Sequence, residues 1–184
     1  MKQLILIVLS FILLSSSCRK NKSGNPVDQL PPETQIGANT FGCLVNGEVF
    51  KPGGAQLSGG SLNCNYQFLD KGYYFRLSAA KQPSGSSTQT AVSLFTDSLK
   101  IYQGEKLILK NRTKGNPYGQ YLGIGNNIND WLYETSASYI GELWIKKLDS
   151  INQIVSGTFW FDAVNSNGQM IEIREGRFDV KYTR

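Results

Sequence analysis

An all-β domain is predicted, an antiparallel β-sandwich or barrel of about nine or ten strands following an N-terminal signal peptide and a flexible tether. Three observations predict it. The composition, with 19 Gly, 9 Tyr, 9 Phe and 3 Trp against 2 Met in 184 residues, favours strands and turns. From Phe41 onward, short runs alternate apolar and polar residues with period two, and most are separated by Gly, Asn, Ser, Asp or Pro. After the leader no stretch sustains the three-and-four apolar repeat of an amphipathic helix. At this length roughly two thirds of the unfolded surface is buried on folding, enough for a self-sufficient core.

The chain divides into a lipoprotein signal peptide (residues 1–17), a tether that starts with a lipidated Cys (18–40) and the β domain (41–184). Lys2 supplies a positive start, and Leu4 to Leu14 is apolar except for Ser10. As a helix that run spans about 16 Å, half a bilayer core, which suits a cleaved leader better than a membrane span. It ends Leu14-Ser15-Ser16-Ser17-Cys18, small residues before a Cys, similar to the lipobox of bacterial lipoproteins. The likeness implies lipidation of Cys18, although Leu stands four places before the Cys where three is usual. A spare Cys in an ordinary secreted chain is the competing reading. Several acyl chains would hold the protein on a membrane without spanning it. Residues 19–40 contain three prolines and no apolar periodicity and read as a tether; Arg19, Lys20 and Lys22 could rest on anionic head groups or simply be solvated. In such lipoproteins an Asp after the Cys favours the inner membrane and an acidic patch marks surface export. Arg19 and the basic residues beyond it therefore imply an outer-membrane anchor on the periplasmic face.

Within the domain, Phe41–Val45, Asn46-Gly47 and Glu48–Phe50 read as a hairpin with a type I′ turn. Further strands are expected at 62–69, 73–80, 90–96, 106–110, 131–135, 139–147, 154–164 and 169–182. Ser166-Asn167-Gly168 suits a three-residue hairpin loop. It sets Ala163 against Ile171, Phe161 against Ile173, Asp162 against Glu172 and Trp160 against Arg174. Glu175-Gly176 then fits either a turn or, preferably, a bulge in one long bent strand. Parity along the preceding hairpin buries Leu143 and Ile145 with Phe159 and Phe161 and sends Trp144 outward with Trp160.

The stretches LPPETQIGANTFGCLVNGEVFKP and IVSGTFWFDAVNSNGQMIEIREGRFDVKY resemble a family of uncharacterised Bacteroidota-type lipoproteins. The resemblance implies an all-β periplasmic or surface domain and carries over no catalytic residue.

Candidate chemistry is limited. The absence of His excludes Ser-His-Asp and Cys-His nucleophilic sites and any His-ligated metal. Only carboxylate chemistry stays open, and the acidic residues are scattered; Glu142, Asp162 and Glu172 could cluster outward, more naturally as a solvated face. No cofactor or metal site is expected: the Asn126–Asp130 run lacks the spaced acids of a calcium loop and reads as a turn. Losing Lys2 with the leader leaves 18 of the 19 basic residues against 14 acidic ones, a net charge of +4 where the full chain has +5. That excess, without a basic run in the domain, does not support nucleic-acid binding. Cys43 and Cys64 lie on apolar strand phases of an exported chain, which suggests a disulfide; two buried free thiols are the alternative. Asp97-Ser98-Leu99 and Asp149-Ser150-Ile151 look like the O-glycosylation sites of some Bacteroidota-type periplasmic proteins.

The site expected to matter is the outward face carrying Trp144, Trp160, Arg174 and Glu142. Either another segment, such as 111–130, covers the two indoles, or they form an open ledge for a sugar ring or a partner's apolar patch. The expected role is a non-enzymatic, membrane-anchored structural or interaction module of the envelope. A glycan-binding module is the alternative and a carboxylate-dependent hydrolase the remote one.

Overall fold

The computed structural model describes residues 24–54, 60–124 and 132–184. The leader, Cys18, Trp131 and the Asn126–Asp130 run lie outside these residues. Among the described residues the chain forms eleven strands: β1 (Thr40–Val45), β2 (Glu48–Phe50), β3 (Leu62–Leu69), β4 (Gly72–Lys81), β5 (Gln89–Thr96), β6 (Lys106–Leu109), β7 (Pro117–Ile124), β8 (Leu132–Glu134), β9 (Gly141–Asp149), β10 (Ile154–Val164) and β11 (Met170–Lys181). Every strand pairing is antiparallel, in the spatial order β2-β1-β11-β10-β8-β7-β5-β4-β3, curled into a half-barrel. The same edge of β10 also carries β9, followed by β6. Two short parallel bridges, Gly53 to Lys81 and Asn65 to Thr183, join backbone near the two edges of the curl.

Local chemistry explains the elements. Asn46 and Gly47 both have positive φ (48° and 82°), as the type I′ turn between β1 and β2 requires. The Asn46 side chain also accepts from the Glu172 amide at 2.9 Å, which fixes β1 to β11. Gly168, with φ 78°, closes the loop after β10, and the register beyond it is the expected one: Asp162 faces Glu172, and Ala163 faces Ile171. The inward positions of β9, β10 and β11 supply Leu143, Ile145, Phe159, Phe161, Ile173 and Val180 to a single large core with Phe75, Leu77 and Leu94 from β4 and β5. Burying each such side chain contributes about 1.5–3 kcal/mol.

The sequence pattern misses β7. Residues 117–124 start with Pro and contain two glycines, so no alternating apolar signal appears. Gly119 is required by packing: a Cβ there would meet the Phe161 ring at 2.9 Å. Residues 117–124 therefore complete the sheet between β5 and β8, while 125–130 of the stretch named as a cover for the tryptophans lie outside the described residues.

Two further expectations are corrected. The tether does not run free to residue 40. A 3-10 turn at Pro26–Gln29 precedes a stretch that is fixed to the domain by Asp179 of β11, which is 1% exposed. This carboxylate accepts from the Thr34 hydroxyl (2.6 Å) and the amides of Ile36 (2.9 Å), Gly37 (2.8 Å) and Ala38 (3.1 Å). Pro31 and Leu30 pack over Gly42, where a Cβ would lie 2.5 Å from Pro31.

Cys43 and Cys64 are not bridged; both are free and buried. Cys43 sits opposite Phe50 on the β1–β2 pair, while Cys64 sits opposite Leu77 on the β3–β4 pair. The two face the same core from strands that are not neighbours in the sheet, each acting as a small apolar side chain. Burial pushes both thiols far above their ordinary pKa. Native protein should therefore resist a thiol reagent at pH 8, while denatured, unreduced protein should label at both positions; failure to label after denaturation would restore the disulfide.

Candidate functional site

The outward face of β9, β10 and β11 is set by the bulge in β11. Phe159 pairs with Gly176 and Phe161 with Ile173, so β11 spends an extra residue opposite Trp160. Glu175 takes φ 55° there, and Gly176 leaves room for the Phe159 ring, which a Cβ would meet at 2.6 Å. The preferred bulge is thus present, and it brings Arg174 to Trp160 with its guanidinium 5.6 Å from the ring centroid. That guanidinium is held firmly. It donates to the carbonyls of Phe161 (3.1 Å) and Ile173 (3.0 Å) and to the carboxylates of Asp162 (2.5 Å) and Glu172 (3.3 Å).

The two indoles leave the sheet on the same side, Trp144 opposite Thr158 and Trp160 opposite Glu142. Their surroundings differ. Trp160 is 39% exposed. Trp144 is half-buried, with Lys106 and Lys146 ammonium groups 5.0 and 4.7 Å from its ring centroid, and its indole N–H is buried without a hydrogen-bond partner among the described residues. Lys106 pairs with Glu142 at 3.1 Å, and Lys146 pairs with Glu33 of the docked N-terminal segment. Between the two alternatives, a covered pair or an open ledge, the structure has one open indole beside one clamped under two cations. A shallow groove of about 420 Å³ runs past Trp160, Thr158 and Arg177 to Glu33. Glu142, Asp162 and Glu172 are each tied to a cation, an arrangement that makes a surface ionic lattice.

A second concavity was not legible in the sequence. It lies at one end of the half-barrel, has a volume of about 780 Å³ and is lined by Tyr66, Phe68, Tyr73, Lys100, Tyr102 and Tyr182 among others. Tyr66 and Tyr73 stack with centroids 5.5 Å apart, Phe68 leans on Tyr73 at 5.0 Å, and Tyr182 meets Tyr66 edge-on at 5.8 Å. The one local clue is that the inward phase of β3, from Leu62 through Cys64 and Tyr66, continues to Phe68, which is 60% exposed.

The two candidate glycosylation serines differ in access. The Ser98 hydroxyl is half-buried and bonded to Tyr74 (2.9 Å) and Asp97 (3.2 Å), whereas Ser150 is exposed on the β9–β10 turn. Among the described residues no three His, Cys, Asp or Glu side chains form a metal-sized cluster, and no helix is long and apolar enough to cross a membrane. Comparison with protein-family models, with curated proteins and with solved structures finds no significant match.

Proposed function

We propose that this chain is a non-enzymatic interaction module of the bacterial envelope, attached through lipidated Cys18 to the periplasmic face of the outer membrane. The resemblance to uncharacterised Bacteroidota-type lipoproteins belongs to the same reading. One observation carries the interaction role: Trp160 stands open on a face whose neighbours are locked. Arg174 is fixed by four hydrogen bonds and Glu142 by Lys106, so Trp160 projects from a preorganised polar frame. An open aromatic ringed by satisfied polar groups is the usual anatomy of a binding anchor.

A partner in the envelope is the first reading of what Trp160 meets. A glycan stacked on the same indole is the second, favoured by the adjacent guanidinium, which can donate to sugar hydroxyls. A photo-crosslinking residue at position 160 should give discrete adducts in intact cells, and one at Ile151, 90% exposed on the β9–β10 turn, should not. Indistinguishable patterns at the two positions would remove the surface from consideration. A shift on soluble polysaccharide that Trp160→Ala abolishes would select the glycan.

A further inference from the structure

We propose that the aromatic cleft at the end of the half-barrel binds an acidic carbohydrate chain, with a sugar ring stacked on Phe68 or Tyr102 and its carboxylate paired with Lys100. This site is separate from the Trp160 face and does not depend on how that face is used.

Four features point this way. First, the cleft is built in advance. Ile101 is fully buried, and its amide donates to the Tyr66 hydroxyl at 3.2 Å. The Tyr102 amide donates to Glu105 at 2.9 Å, and the Gly104 amide to the Ile145 carbonyl at 2.7 Å. The segment carrying Lys100 and Tyr102 is thereby held against the core, and ordering the site on binding costs little.

Second, the rings at the rim are open. Phe68 is 60% and Tyr102 55% exposed, while Tyr66 and Tyr182 beneath them are buried. Flat aromatic faces over a closed floor offer the C–H faces of a sugar ring a platform, and the half-open shape lets a chain enter and leave.

Third, the charge has one sign. The charged side chains lining the cleft are Lys100 and Arg184, with no Asp or Glu. The Arg184 guanidinium is engaged by the Ser150 carbonyl. Lys100 makes no ion pair with any described carboxylate; its ammonium lies 5.4 Å from the Tyr73 ring and 5.2 Å from the Tyr102 ring. The exposed cation is thus held between two rings, where it can meet an anion on a ligand stacked beside it.

Fourth, Gln67 and Gln103 also line the cleft. The Gln103 oxygen accepts from the Leu148 amide at 3.2 Å, which leaves its NH₂ and the Gln67 amide to match hydroxyl groups, which a carbohydrate has in abundance and an acyl chain lacks.

The test uses the full-length protein and a panel of oligogalacturonate, oligoalginate and neutral maltohexaose, measured by titration calorimetry at low and high salt. At least one uronate oligomer should bind, more weakly as salt rises, with maltohexaose binding less. Lys100→Ala should weaken uronate binding about fivefold or more and erase the preference over the neutral oligomer. Phe68→Ala or Tyr102→Ala, whichever ring carries the sugar, should weaken it about tenfold; both rings are exposed, and unchanged melting temperatures would confirm intact folds. Ile108→Ala, away from the cleft, should bind as the parent does. Absence of binding to every uronate in the panel, or equal affinity for acidic and neutral oligomers, would overturn the proposal. Loss of binding in Trp160→Ala with retention in the cleft variants would overturn it too. So would binding only to vesicles containing anionic lipid, which would make the cleft a membrane contact.

Discussion

Replacing Asp179 with Ala should destabilise the domain by about 2–4 kcal/mol, a fall in melting temperature on the order of 10 °C. The residue is nearly fully buried and accepts four hydrogen bonds from residues 34–38. Its removal leaves one hydroxyl and three amides without their acceptor and frees the segment they anchor. Asp179→Asn should cost less but not nothing. The Asp179 Oδ2 atom serves Thr34, Ile36 and Ala38, and Oδ1 serves Gly37. An amide can keep one oxygen in place but turns its NH₂ towards a donor.

Acid should produce part of the same effect. Burial pushes the Asp179 carboxyl up, but the hydrogen bonds from Thr34, Ile36, Ala38 and Gly37 together outweigh it and hold the group below its ordinary value. A carboxyl depressed in the folded state contributes stability that is fully present above its unfolded pKa, about 3.9. That contribution is lost as pH falls through the lower folded value. Chemical denaturation from pH 7 down to pH 2 should show this loss in the parent, and a flatter dependence in Asp179→Asn. Parallel curves for the two would show that Asp179 does not hold the N-terminal segment as described.

Gly141→Ala should cost at least about 3 kcal/mol, more than an average core substitution. A Cβ on Gly141 would lie 2.2 Å from the Trp160 carbonyl oxygen, 2.3 Å from the Phe161 Cβ and 2.7 Å from the Phe161 Cα. Two of these atoms belong to backbone, so no rotamer change relieves the overlap. Gly141 pairs with Leu109 on one side and Phe161 on the other, and the strain would spread through β6, β9 and β10 to the strand that presents Trp160. Gly53→Ala is the comparison, because a Cβ there meets nothing within 4 Å. It should change stability by less than about 1 kcal/mol. Equal melting temperatures for the two variants would contradict the close approach of β9 to β10.

What could be read from the sequence follows from the range of the signals. Hairpin turns are local, so Asn46-Gly47 and Ser166-Asn167-Gly168 mark their positions directly, and period two fixes which face Phe161 and Ile173 share. The β11 bulge announces itself through Glu175-Gly176. The docking of residues 34–38 leaves no such trace, because it uses mainly backbone amides, and an amide looks the same in every sequence. The partial covering of Trp144 depends on Lys106 and on Glu33 acting through Lys146, both distant in the chain. The aromatic cleft draws on β3, β4, the segment around Lys100 and the last residues of the chain. Its parts carry no shared spacing, so only the fold assembles them. Cys43 and Cys64 illustrate the opposite error. An even count and matching phases suggested a bridge, yet the sheet order places them on strands that do not adjoin.

On the proposed reading, Cys18 fastens this β domain to the membrane surface at which it works. Membrane fractionation combined with intact-mass measurement of the parent and of Cys18→Ser tests it most directly. The parent should sediment with membranes as a chain beginning at residue 18 and carrying acyl mass, and the variant should be released without that mass. A variant that still sediments, with lipid mass on neither form, would contradict the lipid anchor.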